Sequence, residues 1–350
     1  MDHPWTIGSN SIYFPANSWE LLPHHLEQFR SQLKEEWQLA LYTTLSDWFL
    51  ERKISTRTSG STGAPKDFTF SMDKVERSAF RTLKHLGIER GATMYSPLPC
   101  GFIGGKMMVI RALLNASPIL VEKPSLNPRL FNSNEHQFAA FTPSMWGQII
   151  QHQPASDTKV ILGGEAVNEQ LELDSAAWPK VYSTYGMTET ISHIALRQLN
   201  EATEYTLLEG VGIRIGAKGN LIIEDGGTQW ETNDLVHMNS SNTFSVLGRL
   251  DNIINSGGKK LVPELLEAEL PEQYKGAAIS WKPDATWGMK AVLVLLENHP
   301  LPPSKNIFSG DLLYIKQWMS IREIPRTKNG KIDRKVLQQI VETADCKDLK

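Results

Sequence analysis

Nine residues at positions 58–66, TSGSTGAPK, combine four hydroxyls, two glycines, a proline and a terminal lysine. Such hydroxyls donate hydrogen bonds without bulk, and the backbone N–H groups of a Gly/Ser/Thr turn can converge into a nest for an anion. Gly60 and Gly63 permit backbone conformations that other residues resist, Pro65 stiffens the exit, and Lys66 adds a point charge. The chemistry suits a polyphosphate, although the spacing is not that of a Walker loop, G-x-x-x-x-G-K-[ST]. A flexible Ser/Gly linker is the alternative. Against it, the run lies between two strand-like segments, KISTRT and DFTF, and it ends on a lysine. A second cationic feature is diffuse. Positions 316–335 hold seven basic residues against two acidic, which by charge alone reads as a solvated face or a polyanion site.

Bulk properties narrow the classes. At 350 residues the chain exceeds the usual size of a single core, so two domains are expected. Apolar residues make up 41% and charged residues 21%, as in ordinary globular proteins. A net charge of −3 gives no global attraction to nucleic acid or to an anionic membrane, so any anion site must be local. Cys100 and Cys346 make no disulfide framework, and a cytoplasmic location fits best. The N-terminal MDHPWTIGSN lacks the features of a signal peptide, and the longest aliphatic run, AVLVLL, is too short to span a bilayer, so no membrane insertion is expected.

The elements that must hold these residues follow from periodicity. Leu22, Leu26, Phe29, Leu33 and Trp37 recur at helical spacing within 18–50. Ser71 can cap a helix reaching about Leu86. Strand-like ATMYSPL, PILVE, FAAFT, KVILGG and KVYSTYG then alternate with helices at 104–114 and 143–151 and a short one before KVYSTYG. This predicts an α/β layered domain with a mainly parallel sheet. After Leu207, VGIRIGAKGNLIIED turns on glycines as a small antiparallel β subdomain would, and FSVLGRL adds a strand. Past Asp251 a smaller α+β unit is expected, with a helix from about Pro263, strands at AAISW and KAVLVLL, a helix near 311–319 and a last helix from Asp333.

Four further stretches complete a pattern: YGMTET (185–190), ETNDLV (231–236), GRLDNIINSGGKKLVPELLE (248–267) and PRTKNGKIDR (325–334). Together with the first loop, and in this order, they resemble the adenylate-forming superfamily of acyl-CoA synthetases, carrier-protein adenylation domains and luciferases. The resemblance implies a first domain at 1–250 that binds ATP and the acid, with a shortened N-terminal subdomain, and a mobile second domain at 251–350. It implies two steps. A carboxylic acid is joined to AMP with loss of pyrophosphate, and the acyl group then passes to CoA. Thr58, Ser59, Gly60, Ser61, Thr62, Gly63 and Lys66 would hold the β- and γ-phosphates. Thr188 and Glu189 would act at the catalytic centre, with Glu189 helping to bind Mg²⁺. Gly163, Gly164 and Glu165 would lie along the adenine, with Tyr185 and Gly186 nearby, while Asp234 and Arg249 would meet the ribose. Lys331 would bridge the attacking carboxylate and the α-phosphate. Asp251 would be the hinge. After it turns, Gly257, Gly258 and Lys259 would line the pantetheine tunnel.

Two departures from the family pattern stand out. The phosphate loop begins unusually early, and Phe102 holds a place where the family often has a histidine or another aromatic; it can pack on an acyl group but cannot donate a hydrogen bond. The brevity of the chain and the run YGMTETISHIALR are most similar to the subgroup of ligases that join o-succinylbenzoate, an intermediate of menaquinone biosynthesis, to CoA. That acid has two carboxylates, of which one is activated. Lys106, His193 and Arg111 are candidates for the other, with Phe102 and Gly104 lining the acid pocket. Each cation also has a plain reading, Lys106 and Arg111 as solvent-facing helix residues and His193 as a hydrogen-bonded strand residue. Another aryl or acyl acid, loading of a carrier protein, or a scaffold without catalysis are the other readings. The last is disfavoured because Lys66, Glu189, Asp234, Arg249 and Lys331 are all present. The oligomeric state is not legible in the sequence.

Overall fold

The computed structural model describes residues 4–57, 66–301, 305–327 and 332–349. Two compact units are present, Met1–Val211 and Gly212–Lys350. The division falls ahead of residue 250, so the small antiparallel sheet groups with the second unit by compactness.

At the centre of the first unit, five strands run parallel, in the spatial order Ile119–Glu122, Met94–Ser96, Phe138–Phe141, Lys159–Leu162, Val181–Gly186. Numbered along the chain this is 2-1-3-4-5, a doubly wound arrangement whose order reverses between Met94–Ser96 and Phe138–Phe141. Alternation along each strand divides its side chains between two cores. Phe138 and Ala140 pack on one face with Met108, Val109 and Ala112 of the helix Ile103–Leu114. Ala139 and Phe141 pack on the other with Met145, Trp146 and Ile149 of the helix Pro143–Ile149. Burial on both faces is why these strands read as short continuous apolar runs.

Antiparallel strands extend this sheet at both ends. Ser11–Phe14 pairs with Ile119–Glu122, and His193–Gln198 with Val181–Gly186. The N-terminal hairpin, Thr6–Ile7 with Ser11–Phe14, had no clear signal in the sequence. The helical region at 18–50 resolves into Ser18–Leu21, Leu26–Gln32 and Glu36–Ser46. A separate hairpin joins Lys53–Arg57 to Asp67–Ser71, with Arg57 opposite Asp67.

Two helices position the candidate site. Met72–His85 buries Met72, Val75, Ser78, Ala79, Thr82 and Leu83, a stripe at three- and four-residue spacing. Ile103–Leu114 is buried continuously from Gly105 to Ala112, including Lys106 and Arg111. Gly105 allows this close seating, because a Cβ there would lie 2.5 Å from the Pro99 carbonyl oxygen.

In the second unit Thr243–Arg249, Thr228–Met238 and Asn220–Asp225 pair antiparallel in that order, and Val211–Ile215, which begins at the division, lies next in the sheet. A six-stranded sheet follows, built around Gly288–Leu296. Ala278, Val292 and Val294 face the helix Arg334–Thr343, which Asp333 caps by accepting from Val336 N–H at 3.0 Å. The expected helix near 311–319 is absent. A short helical turn, Gly310–Tyr314, leads into the strand Ile315–Ile321, which runs parallel to Gly288–Leu296. No helix among the described residues is long and apolar enough to cross a membrane.

Candidate active site

Most candidates of the first unit lie in loops that leave the carboxyl ends of the parallel strands, where open α/β sheets bind ligands. Val181–Gly186 ends in the sharpest of these. Gly186 lies so close to the next strand that a Cβ would sit 2.4 Å from the Cα of His193. A single helical turn, Thr188–Thr190, presents Glu189 half-buried. The Thr190 hydroxyl accepts from Met187 N–H at 3.1 Å and donates to the Ser192 carbonyl at 2.8 Å, tying the turn to its exit. Ile191 adopts φ +70°, a backbone region that β-branched residues avoid. The chain reverses there and presents Ser192 and His193.

Beside it, Lys159–Leu162 ends in Gly163 and Gly164. A Cβ on Gly163 would lie 2.8 Å from the Thr184 hydroxyl, and Gly164 has φ +84°. The Glu165 carboxylate accepts from Ser144 N–H at 3.1 Å and from the Ser144 hydroxyl, so it caps the helix Pro143–Ile149. Phe102, 49% exposed, caps the start of the helix Ile103–Leu114, and Gly104 is exposed beside it. Both remain available to a ligand.

The three candidate cations do not converge. Lys106 and His193 lie in different surroundings. The Lys106 ammonium donates to Thr44 Oγ1 at 3.3 Å in the helix Glu36–Ser46. Burial lowers its pKa, opposed by the nearby Asp47 carboxylate. Arg111 is 2% exposed and donates from Nη2 to Ser192 Oγ at 2.7 Å and to Thr82 Oγ1 at 3.2 Å. Burial pushes its pKa down to about 9, which leaves it a cation at neutral pH. His193 joins the same cluster, with Nε2 3.0 Å from Thr82 Oγ1 and Nδ1 3.3 Å from Ser192 Oγ. Burial first, then the charges of Arg111 and His85, hold its pKa well below the usual value. Lys106 and Arg111 are therefore buried, which corrects their plain reading as solvent-facing. Thr82 and Ser192 are additions that spacing alone did not mark.

Lys66 is exposed at the foot of the return strand Asp67–Ser71, while Thr58, Ser59, Gly60, Ser61, Thr62 and Gly63 lie outside the described residues, as does Lys331. At the hairpin neck Arg57 grips Asp67 through Nε at 2.6 Å and Nη2 at 2.9 Å.

In the second unit, Asp234 and Arg249 are direct cross-strand partners. Arg249 donates from Nη1 to Asp234 at 3.2 Å and grips Asp251 through Nε at 2.9 Å and Nη2 at 3.1 Å. Gly257 and Gly258, at φ +57° and +83°, form the two-residue connection between Ile254–Ser256 and Lys259–Leu261. Such a hairpin turn demands positive φ at both positions, a local reason for the glycine pair. Trp287 leans on it, and a Cβ on Gly257 would lie 2.4 Å from the indole. Lys259 pairs with Asp311 at 2.9 Å. Arg334, three residues after Lys331, forks onto Glu267 at 2.7 and 2.6 Å.

No group of three or more metal-ligating side chains occurs among the described residues. Glu189 makes no hydrogen bond to another described residue, so its carboxylate is available. A lone carboxylate fits Mg²⁺, which binds through one or two carboxylates and takes its remaining ligands from water and substrate phosphates.

The 2-succinylbenzoate–CoA ligase of Lactococcus lactis subsp. lactis is 28% identical over 331 residues, covering 84% of this chain and 73% of that one. The protein of the same name from Listeria monocytogenes serotype 4b is 24% identical over 335 residues, covering 84% and 72%. A solved acyl-CoA synthetase (AMP-forming)/AMP-acid ligase II-like protein from Dyadobacter fermentans is 28% identical with a TM-score of 0.61, covering 93% of this chain and 98% of that one. The Bacillus subtilis o-succinylbenzoate CoA synthetase, solved with its acyl-adenylate, shares the fold at a TM-score of 0.67 and 20% identity, covering 84% and 70%. Residues 57–231 match the AMP-binding enzyme family, which is half of the chain, and the chain belongs to that adenylate-forming family.

Proposed function

We propose that this protein is an acid–CoA ligase that activates o-succinylbenzoate. The observation that carries the substrate is the likeness to 2-succinylbenzoate–CoA ligases over 84% of the chain. A carboxylate is a poor electrophile until its oxygen is made a leaving group. The acid oxygen attacks the α-phosphate of ATP, pyrophosphate departs, and the acyl-adenylate is then attacked by the CoA thiol with release of AMP. Charge develops on the phosphates in the first step, so preorganised donors and cations supply most of the rate enhancement. Lys66 and the loop before it hold the β- and γ-phosphates. Lys331 stabilises charge between the acid and the α-phosphate. Asp234 accepts from the ribose hydroxyls, with Arg249 beside it. Glu189 holds Mg²⁺, which when bound neutralises phosphate charge. The smaller domain turns at Asp251 to replace Lys331 with the Gly257–Gly258 turn as CoA arrives.

With ATP and Mg²⁺, o-succinylbenzoate should drive pyrophosphate release, and added CoA should convert the acid to its thioester. A panel in which simple benzoates are preferred would overturn the substrate, and transfer to a carrier protein rather than to CoA would overturn the acceptor.

A further inference from the structure

Between the strand Thr243–Arg249 and the helix Pro263–Ala268 the chain passes through Asp251, the proposed hinge, and the two elements touch across it. Gly248 is buried near the end of the strand. A Cβ there would lie 2.5 Å from Val262 Cγ1 and 2.7 Å from Glu264 Oε2. Carbon atoms in good contact are about 3.5–4.0 Å apart, so a side chain at 248 has no room. The glycine lets the start of the helix rest directly on the strand.

Elements further along the chain are fastened to the same helix. Glu264 Oε1 accepts from the side-chain amide of Asn252, the residue after Asp251. Glu267 Oε1 accepts from Ile279 N–H at 2.6 Å, in the strand Ala278–Asp284. Arg334, at the start of the last helix, forks onto Glu267, and its Nη2 lies 3.5 Å from Glu264 Oε1. Asn252, Ala278–Asp284 and Arg334–Thr343 are thus joined to Pro263–Ala268, and that body meets the strand ahead of the hinge at Gly248. The contact is close but imperfect. Glu264 Oε2, the oxygen that lies against Gly248, is buried without a hydrogen-bond donor. A buried acceptor left unsatisfied is unfavourable. Turning away from Gly248 would return that oxygen to water. Shape holds the pose and solvation opposes it, as suits a domain that must leave it.

We infer that Gly248 is a positioning residue for the turn at Asp251. Its lack of a side chain admits the pose of this structure, and a side chain there would exclude that pose while leaving the turned one open. Val262 and Glu264 both follow Asp251, so a turn at this hinge carries them away from Gly248. The inference rests on the two-step ligase reading and names a contact that sets the balance between its two poses.

The test measures the two half-reactions separately: pyrophosphate release from ATP with o-succinylbenzoate, and thioester formation from supplied acyl-adenylate and CoA. Gly248→Ala should slow one of them by roughly 5- to 100-fold, the range that overpacking a buried contact produces, and spare the other. The half-reaction that falls identifies the step this pose serves. Adding Val262→Ala, which removes the methyl group that the new Cβ would strike, should restore part of the loss. If Gly248→Ala slows both half-reactions equally, or neither, the inference is overturned. A split that Val262→Ala leaves in full overturns the contact as its cause. Should Gly248→Ala not fold, the double variant carries the test, and equal changes in its two half-reactions overturn the inference as well. A wild type that performs neither half-reaction would instead refute the ligase reading. A wild type that performs both, with variants that show no split, would leave that reading standing and remove Gly248 from it.

Discussion

Thr82 shows how a single residue ties the apolar core to the site. It occupies a buried position in the stripe of Met72–His85, where a hydroxyl needs partners, and it finds them in His193 and Arg111. The ring of His193 stays neutral in the folded protein because burial and the Arg111 charge oppose its proton. The sign of the pH effect follows. An unfolded chain takes up this proton near pH 6.5, and the folded chain does so only at lower pH. His193 therefore has no effect on stability well above 6.5 and lowers it as pH falls below that value. Urea midpoints measured from pH 7.5 to 5 should fall more steeply for wild type than for His193→Gln, and parallel slopes would refute this. The cluster was only half legible in the sequence. His193 and Arg111 were visible as ionisable residues near a motif. Thr82 lies over a hundred positions from His193 and carries no mark except a hydroxyl in an apolar stripe. Lys106 and Arg111 read as solvent-facing because cations on helices usually are, and here a helix is covered on every side.

At the scale of elements, strands buried on both faces were the most legible, since apolar runs bounded by turn residues have few other outcomes. Ile315–Ile321 was misread for a physical reason. Leu312, Ile315 and Trp318 recur every three residues and mimic a helix, while pairing with Gly288–Leu296 fixes the segment as a strand. The turn at Gly257 and Gly258 gives a sharper test of local geometry. Both glycines have positive φ, yet only Gly257 faces a neighbour, the Trp287 ring. Gly258→Ala should cost about 1 kcal/mol from backbone strain. Gly257→Ala should cost 1–3 kcal/mol beyond that, on the order expected for overpacking. Denaturant unfolding would measure both. Adding Trp287→Ala should recover part of the Gly257→Ala loss and none of the Gly258→Ala loss, and equal costs for the two glycines would show that strain alone governs the turn.

For the whole molecule, the order of five motifs indicated the family before any contact was known. What order could not convey was compactness. The small antiparallel sheet groups with the second unit, and the proposed hinge at Asp251 therefore lies inside that unit rather than at its edge. The two-step reading predicts that Lys331→Ala slows adenylation at least ~10²-fold, the scale of a lost transition-state donor. It should spare thioester formation from supplied acyl-adenylate, and an equal loss in both half-reactions would count against a domain that turns. The dry guanidinium of Arg111 has a consequence for the molecule as a whole. Buried charges without partners are often bettered, in stability, by apolar chains of similar size. An effort to raise the melting temperature would therefore be drawn to this position, and each degree gained there would come at the expense of the hydrogen bonds that order Thr82 and Ser192. At Arg111, heat resistance and the order of the turn at Ser192 are opposing demands on the same side chain.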